Sequence, residues 1–151
     1  MTVRTAAIAV VVAFVAGSAA GITAQQDRRY FNRRVAGDAN VTPFSGAVLA
    51  GETLYLSGTL GLGPRRTVPE TAEAEATNVL NNVRNQLESA GMTMDDLVSV
   101  QIFASDTSDY DAFNSVYRTY FTREFPARAF VGAGPLLFGA RFEVQGTAVQ
   151  R

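Results

Sequence analysis

Two stretches of helical period, each enclosed by runs of strand period, constrain this chain more than any other feature. Ala72, Ala76, Leu80, Val83, Leu87 and Ala90 recur at steps of four and three, which puts them on one face of an α-helix. Ahead of them Thr67-Val68-Pro69-Glu70 predicts a capping box with proline tolerated in the first turn, and Gly91 is placed to end the helix. The second stripe is Tyr110, Phe113, Tyr117, Tyr120 and Phe121, behind several candidate N-caps in Asp106 to Asp109. Its plain reading is core packing against a sheet. Strand-type runs surround the helices. Ser45 to Leu49 and Thr53 to Leu60 read as a hairpin about Ala50-Gly51-Glu52, and Gly61 to Arg66 as a loop. Leu97 to Ala104 is a further strand, and Ala127 to Gly132 and Ala140 to Val149 are two more, turning at Gly134-Pro135. The order ββαβαββ predicts an α+β domain with two helices on one face of a mixed sheet.

The strands also describe the other face of that sheet. Val98, Val100 and Ile102 should point one way, and Ser99, Gln101 and Phe103 the other. Phe142, Val144 and Ala148 alternate with Glu143, Gln145 and Thr147, and Leu54 and Leu56 with Thr53, Tyr55 and Ser57. The second face is therefore polar yet nearly uncharged, with Glu143 its one charge in these runs. A solvated face normally carries more charge; neutral polar and aromatic residues suit contact with another subunit. A homo-oligomer is expected.

Residues 42–151 hold all of this pattern. Residues 25–41 are polar, arginine-rich and aperiodic, and read as a linker. Residues 1–24 begin with Arg4, continue through an apolar run from Ala6 to Ala16, and end in small residues, which predicts a signal peptide and a periplasmic or secreted protein. The alternative is an uncleaved membrane anchor. The uncharged run approaches spanning length, and Arg28-Arg29 and Arg33-Arg34 follow it.

Composition narrows the chemistry. All 13 basic residues are arginine, and histidine and cysteine are absent as well as lysine. Schiff-base lysines, thiolates, histidine bases and the commonest metal ligands are thereby excluded. A formal charge of −1 disfavours a nucleic-acid binder, and Arg65-Arg66 is a lone basic pair without interleaved aromatics. Carboxylates, hydroxyls, backbone amides and arginine remain. Among the arginines, Arg128 in Phe125-Pro126-Ala127-Arg128 offers a fixed fork for a small carboxylate or phosphate. An interface ion pair, for instance with Glu143, is the structural alternative.

Several segments match a known family when taken in order: Pro43-Phe44-Ser45 with Ala47-Val48, Leu56-Ser57-Gly58, and Ala90-Gly91 before Asp96-Leu97-Val98. Asn114 and Tyr117 within Tyr110 to Phe121, then Pro126-Ala127-Arg128 and Phe142-Glu143-Val144, complete the match. From about Thr42 to Gln150 the chain resembles the RidA family of enamine and imine deaminases. The resemblance implies a chorismate-mutase-like fold, a homotrimer with clefts between subunits, and hydrolysis of 2-imino acids to 2-keto acids and ammonia without metal or organic cofactor. It implies that Arg128 grips the substrate carboxylate and Glu143 positions the water. It places Gly58, Ser57, Phe44, Asn114 and Phe130 around the substrate, Gly58 and Phe130 through their backbones. The chain departs from the family in having Phe44 for a tyrosine, Gly46 for a common glutamine, Ala129 for a hydroxyl residue and Phe130 for a smaller one. A catalytically idle, small-carboxylate-binding module of the same fold is the alternative function.

Overall fold

The structure is a computed structural model that describes residues 27–32, Gly37 and residues 42–151. Among these residues, six strands and two α-helices follow the order β1 (Arg28–Phe31), β2 (Ala47–Ala50), β3 (Thr53–Leu60), α1 (Ala72–Ser89), β4 (Leu97–Ala104), α2 (Tyr110–Tyr117), β5 (Ala127–Gly132) and β6 (Phe142–Val149). The strands form one sheet in the order β1-β2-β3-β6-β4-β5. All pairings are antiparallel except β4 with β5, which run parallel across the α2 crossover. The expected α+β architecture is thus present with one strand more. Arg28–Phe31, inside the span read as a linker, pairs with β2 as an edge strand. Its four residues RRYF are mostly exposed, so they lack the alternation that marks a half-buried strand. The expected signal or anchor at 1–24 lies outside the described residues, as does much of 25–41. Among the described residues, no helix is long and apolar enough to cross a membrane.

The hairpin turns at Gly51, whose φ of 60° at the first central position suits a type II′ turn. Helix α1 begins one turn later than the sequence suggests. Thr71 is its N-cap, accepting from the N–H of Ala74 (3.1 Å), while the Thr67 hydroxyl donates to the Pro64 carbonyl and closes a 3-10 turn instead. Pro64 starts that earlier turn, so the capping chemistry at Thr67 serves the loop. The helix ends as expected at Gly91 (φ 79°). There the N–H groups of Gly91 and Met92 donate to the carbonyls of Glu88 and Leu87.

One face of the sheet packs against both helices. Leu54, Ile102, Phe142 and Val144 from the strands meet Val79, Leu80, Leu87 and Phe113 from the helices, each with almost no exposure. The opposite face carries Tyr55, Ser99, Gln101, Gln145 and Thr147 around a shallow depression of about 270 Å³. It is neutral there, as expected, and Gln145 donates to Gln101 across the strands (2.5 Å). Val98 departs from the expected alternation. It is 47% exposed while Leu97 is buried, because Leu97 pairs with Ala148 and Ser99 with Thr147, leaving Val98 as an extra residue in β4. A β-bulge thus shifts the phase of the strand.

Candidate functional site

A second bulge interrupts β3 at two of the expected site residues. β3 advances from Leu56 to Thr59 while β6 retreats only from Gly146 to Val144, so Ser57-Gly58 bulges out of the β3–β6 ladder. Bulges concentrate beside active sites because they re-aim groups that the ladder would otherwise engage. On the other edge of β3 the Ser57 N–H continues the register with β2, donating to the Gly46 carbonyl (3.0 Å), and its hydroxyl donates to the Ser45 carbonyl (2.6 Å). That ties the bulge to the segment carrying Phe44, whose ring is 54% exposed. Glu143, opposite Leu60 on β3 and Phe103 on β4, lies against Gly58. A Cβ at position 58 would overlap its Oε1, so glycine is what admits the carboxylate there. Phe142 and Val144 are buried toward the helices, so Glu143 between them faces the open side.

Arg128 stands on the helix side, at the β5 edge of the sheet. Its Nη1 donates to Oδ1 of Asn114 (2.7 Å), a buried side chain on α2. Its Cζ lies 4.7 Å from the Tyr117 ring centroid and 5.8 Å from that of Tyr110, and Nη2 reaches the Tyr110 hydroxyl at a long 3.5 Å. Ring faces and a charge-assisted hydrogen bond thus hold the guanidinium in place, leaving further N–H groups for an anion. Tyr110, Asn114, Tyr117, Arg118, Phe125, Pro126 and Arg128 enclose a cleft of about 240 Å³. Burial pushes the Tyr117 phenol up to about 12 against the opposing pull of the Arg128 cation, and its buried hydroxyl has no hydrogen-bond partner among the described residues. The side chain of Phe130 enters the aromatic core, 5.1 Å from Tyr110 and 5.8 Å from Phe113, and so buttresses a wall of the cleft.

The expected site residues therefore fall into two groups. Arg128 and Asn114 meet on one side of the sheet; Ser57, Gly58 and Glu143 meet on the other, next to Phe44. Strand β4 separates β5 from β6, and Arg128 and Glu143 make no ion pair within the chain. Tyr110 and Tyr117 read from their period as a core stripe, and the resemblance gives them no part in the site, although an arginine grip needs such walls. Glu75 and Arg141 carried no sequence signal. The Glu75 carboxylate is wholly buried and pairs with Arg141 (3.1 Å).

The α+β domain thus carries a guanidinium fixed at a sheet edge and an acid beside a strand bulge. The model of the family described as Endoribonuclease L-PSP matches residues 36–150, and the chain belongs to that family, the RidA/YjgF family. The 2-iminobutanoate/2-iminopropanoate deaminase of goat (Capra hircus) is 38% identical over 114 residues, covering 74% of this chain and 83% of that protein. The protein of the same name from cattle (Bos taurus) is 37% identical with the same coverage. In structure the chain is similar to the YjgF gene product of E. coli, with a TM-score of 0.69, 31% identity, and coverage of 75% and 92% of the respective chains.

Proposed function

We propose that the protein hydrolyses 2-imino acids to 2-keto acids and ammonia, in clefts shared between the subunits of a homotrimer. The fixed but incompletely used guanidinium of Arg128 carries this reading, supported by the names of the goat and cattle relatives. Arg128 would hold the substrate carboxylate through two N–H donors. The iminium carbon is already electrophilic, so water needs a place and a proton acceptor and no covalent nucleophile. Glu143 would align that water and take its proton as the C–O bond forms. The same proton then goes to nitrogen, the C–N bond breaks and ammonia leaves, and the hydroxyl gives its remaining proton back to the Glu143 carboxylate as the carbonyl forms.

The two half-sites lie on opposite sides of one sheet, so one chain cannot bring Arg128 to the water that Glu143 holds. An assembly that sets the β5 edge of one subunit against the open face of the next would do so. The open face, neutral around Gln101 and Gln145 and with Tyr55 and Val98 half exposed, suits burial in such a contact. Asn114 would act by holding Arg128, and Gly58 by admitting Glu143 and presenting backbone to the substrate. Ser57 fixes the bulge, and the exposed Phe44 ring would form part of the wall. The backbone N–H of Phe130 would contact the ligand.

The test is a coupled assay of ammonia or keto-acid release from freshly generated 2-iminopropanoate and 2-iminobutanoate. Acceleration that needs Arg128 supports the reading; pyruvate binding without acceleration would leave a small-carboxylate-binding module. We also propose export through residues 1–24, with residues 25–27 and 33–41 linking that segment and β1 to the domain. Intact mass decides this, since a native protein retaining residues 1–24 and recovered with membranes would be an anchored one.

A further inference from the structure

Helix α1 turns a polar edge toward the end of the sheet that carries Gly58 and Glu143. Glu75, Asn78 and Asn82 recur there at steps of three and four, and each engages backbone at the end of a strand. Asn82 Nδ2 donates to the Leu60 carbonyl (2.9 Å) and Asn78 Nδ2 to the Gly61 carbonyl (3.1 Å), fixing the exit of β3. Glu75 fixes the entrance of β6. Its Oε1 accepts from the N–H of Arg141 (2.6 Å) and of Phe142 (3.1 Å), and its Oε2 from Nη1 of Arg141 (3.1 Å). The same guanidinium donates to the carbonyls of Pro69 (2.8 Å) and Glu70 (3.3 Å) in the approach to α1.

Glu75 is the one charged side chain that is fully buried among the described residues. A carboxylate taken out of water is destabilising unless its lone pairs are engaged, and an apolar residue would fill the same space at less cost. What an apolar residue cannot do is hold two consecutive backbone N–H groups. Those belong to the two residues immediately before Glu143. On its other side Glu75 meets Gly61 so closely that a Cβ there would overlap the Glu75 carbonyl, and Gly61 follows the Ser57-Gly58 bulge by three residues.

We propose that Glu75 is a positioning residue for Glu143. By fixing where β6 begins relative to the β3 bulge, it sets the place at which the Glu143 carboxylate meets water. This rests on the reading of Glu143 as the water-positioning acid. Small displacements at such a point cost rate while leaving the carboxylate grip on the far side of the sheet intact.

The test is Glu75→Gln in the full-length protein, with kcat and KM for 2-iminopropanoate and the Kd of pyruvate measured well below the thermal midpoint. A carboxamide offers one acceptor oxygen where a backbone pair and a guanidinium both require one. The expected result is a fall in kcat of about tenfold or more, with KM and Kd within about twofold of the parent. Unchanged kcat overturns the proposal, and so does a rise in KM and Kd that parallels the loss of kcat, which marks general loosening. Should Glu75→Gln fail to fold, Arg141→Met tests the same point, because it leaves both backbone bonds to Glu75 in place. Retained kcat in that variant supports the backbone pin, and a tenfold loss overturns it. Glu143→Gln, run alongside, separates the two readings. If it turns over like the parent, the role of Glu143 itself fails; if it is slow while Glu75→Gln is not, only the present inference fails.

Discussion

The carboxylate of Glu143 occupies the space that a side chain at position 58 would need: a Cβ on Gly58 would overlap Oε1 and lie 3.0 Å from Cδ. The two residues are therefore coupled through excluded volume. Gly58→Ala should displace the acid without touching Arg128. Because misplacement by about 1 Å can cost on the order of 10²-fold, kcat should fall by roughly that factor while pyruvate still binds. Steady-state kinetics beside calorimetric titration checks this, and undiminished kcat would show that the carboxylate has room elsewhere.

Arg128→Ala should behave in the opposite way. Losing the partner of a buried charged hydrogen bond typically costs about 2–5 kcal/mol, enough to remove measurable pyruvate binding. Arg128→Lys should recover little, since a point charge cannot reproduce a fork held between Asn114 and the Tyr117 ring. Calorimetric titration at fixed ionic strength would reveal near-parental affinity in the lysine variant if a single positive charge were enough.

Tyr117 yields a prediction about stability. Its buried hydroxyl has no partner among the described residues, and leaving such a group unsatisfied typically costs about 1–3 kcal/mol. Tyr117→Phe keeps the ring under Arg128 and removes the orphan, so denaturant unfolding at neutral pH should show equal or greater stability. The pH dependence has a definite sign. Burial raises the folded-state pKa from 10.0 to about 12, so the neutral phenol contributes stability that is fully present below pH 10 and lost as pH rises through about 12. Unfolding measured across that window should fall less steeply in Tyr117→Phe. Identical slopes would place the titration elsewhere.

Both helices and five of the six strands were legible from periodicity, because each buries an apolar face against the other layer. Three features were not. The phase of β4 at Val98 depends on an extra residue that only its pairing with β6 reveals. Strand β1 has no buried face to write an alternation, and its existence rests on the exposed edge of β2. The N-cap fell to Thr71 because Pro64 begins a separate turn before it. At the site, Arg128, Asn114, Glu143 and Gly58 could be named from the resemblance, but their division between two sides of the sheet could not. That division depends on register and on the Ser57-Gly58 bulge, and neither is written in residue type. Glu75 was invisible for a related reason: a glutamate in the first turn of a helix looks solvated until the strand that covers it is known.

The shared cleft is tested most directly by mixing two inactive variants. Arg128→Ala supplies an intact Glu143 and Glu143→Gln an intact Arg128. Subunits that recombine freely at equal ratio place an intact Arg128 beside an intact Glu143 at half of a half of the sites, so activity should return to about one quarter of the parental value. The mixture is made by co-expression or by joint refolding, and imine hydrolysis is followed before and after exchange. Return of activity toward that fraction is the predicted result. A mixture as inactive as its two parents, with exchange verified by mass, would contradict a site built from Arg128 of one subunit and Glu143 of another.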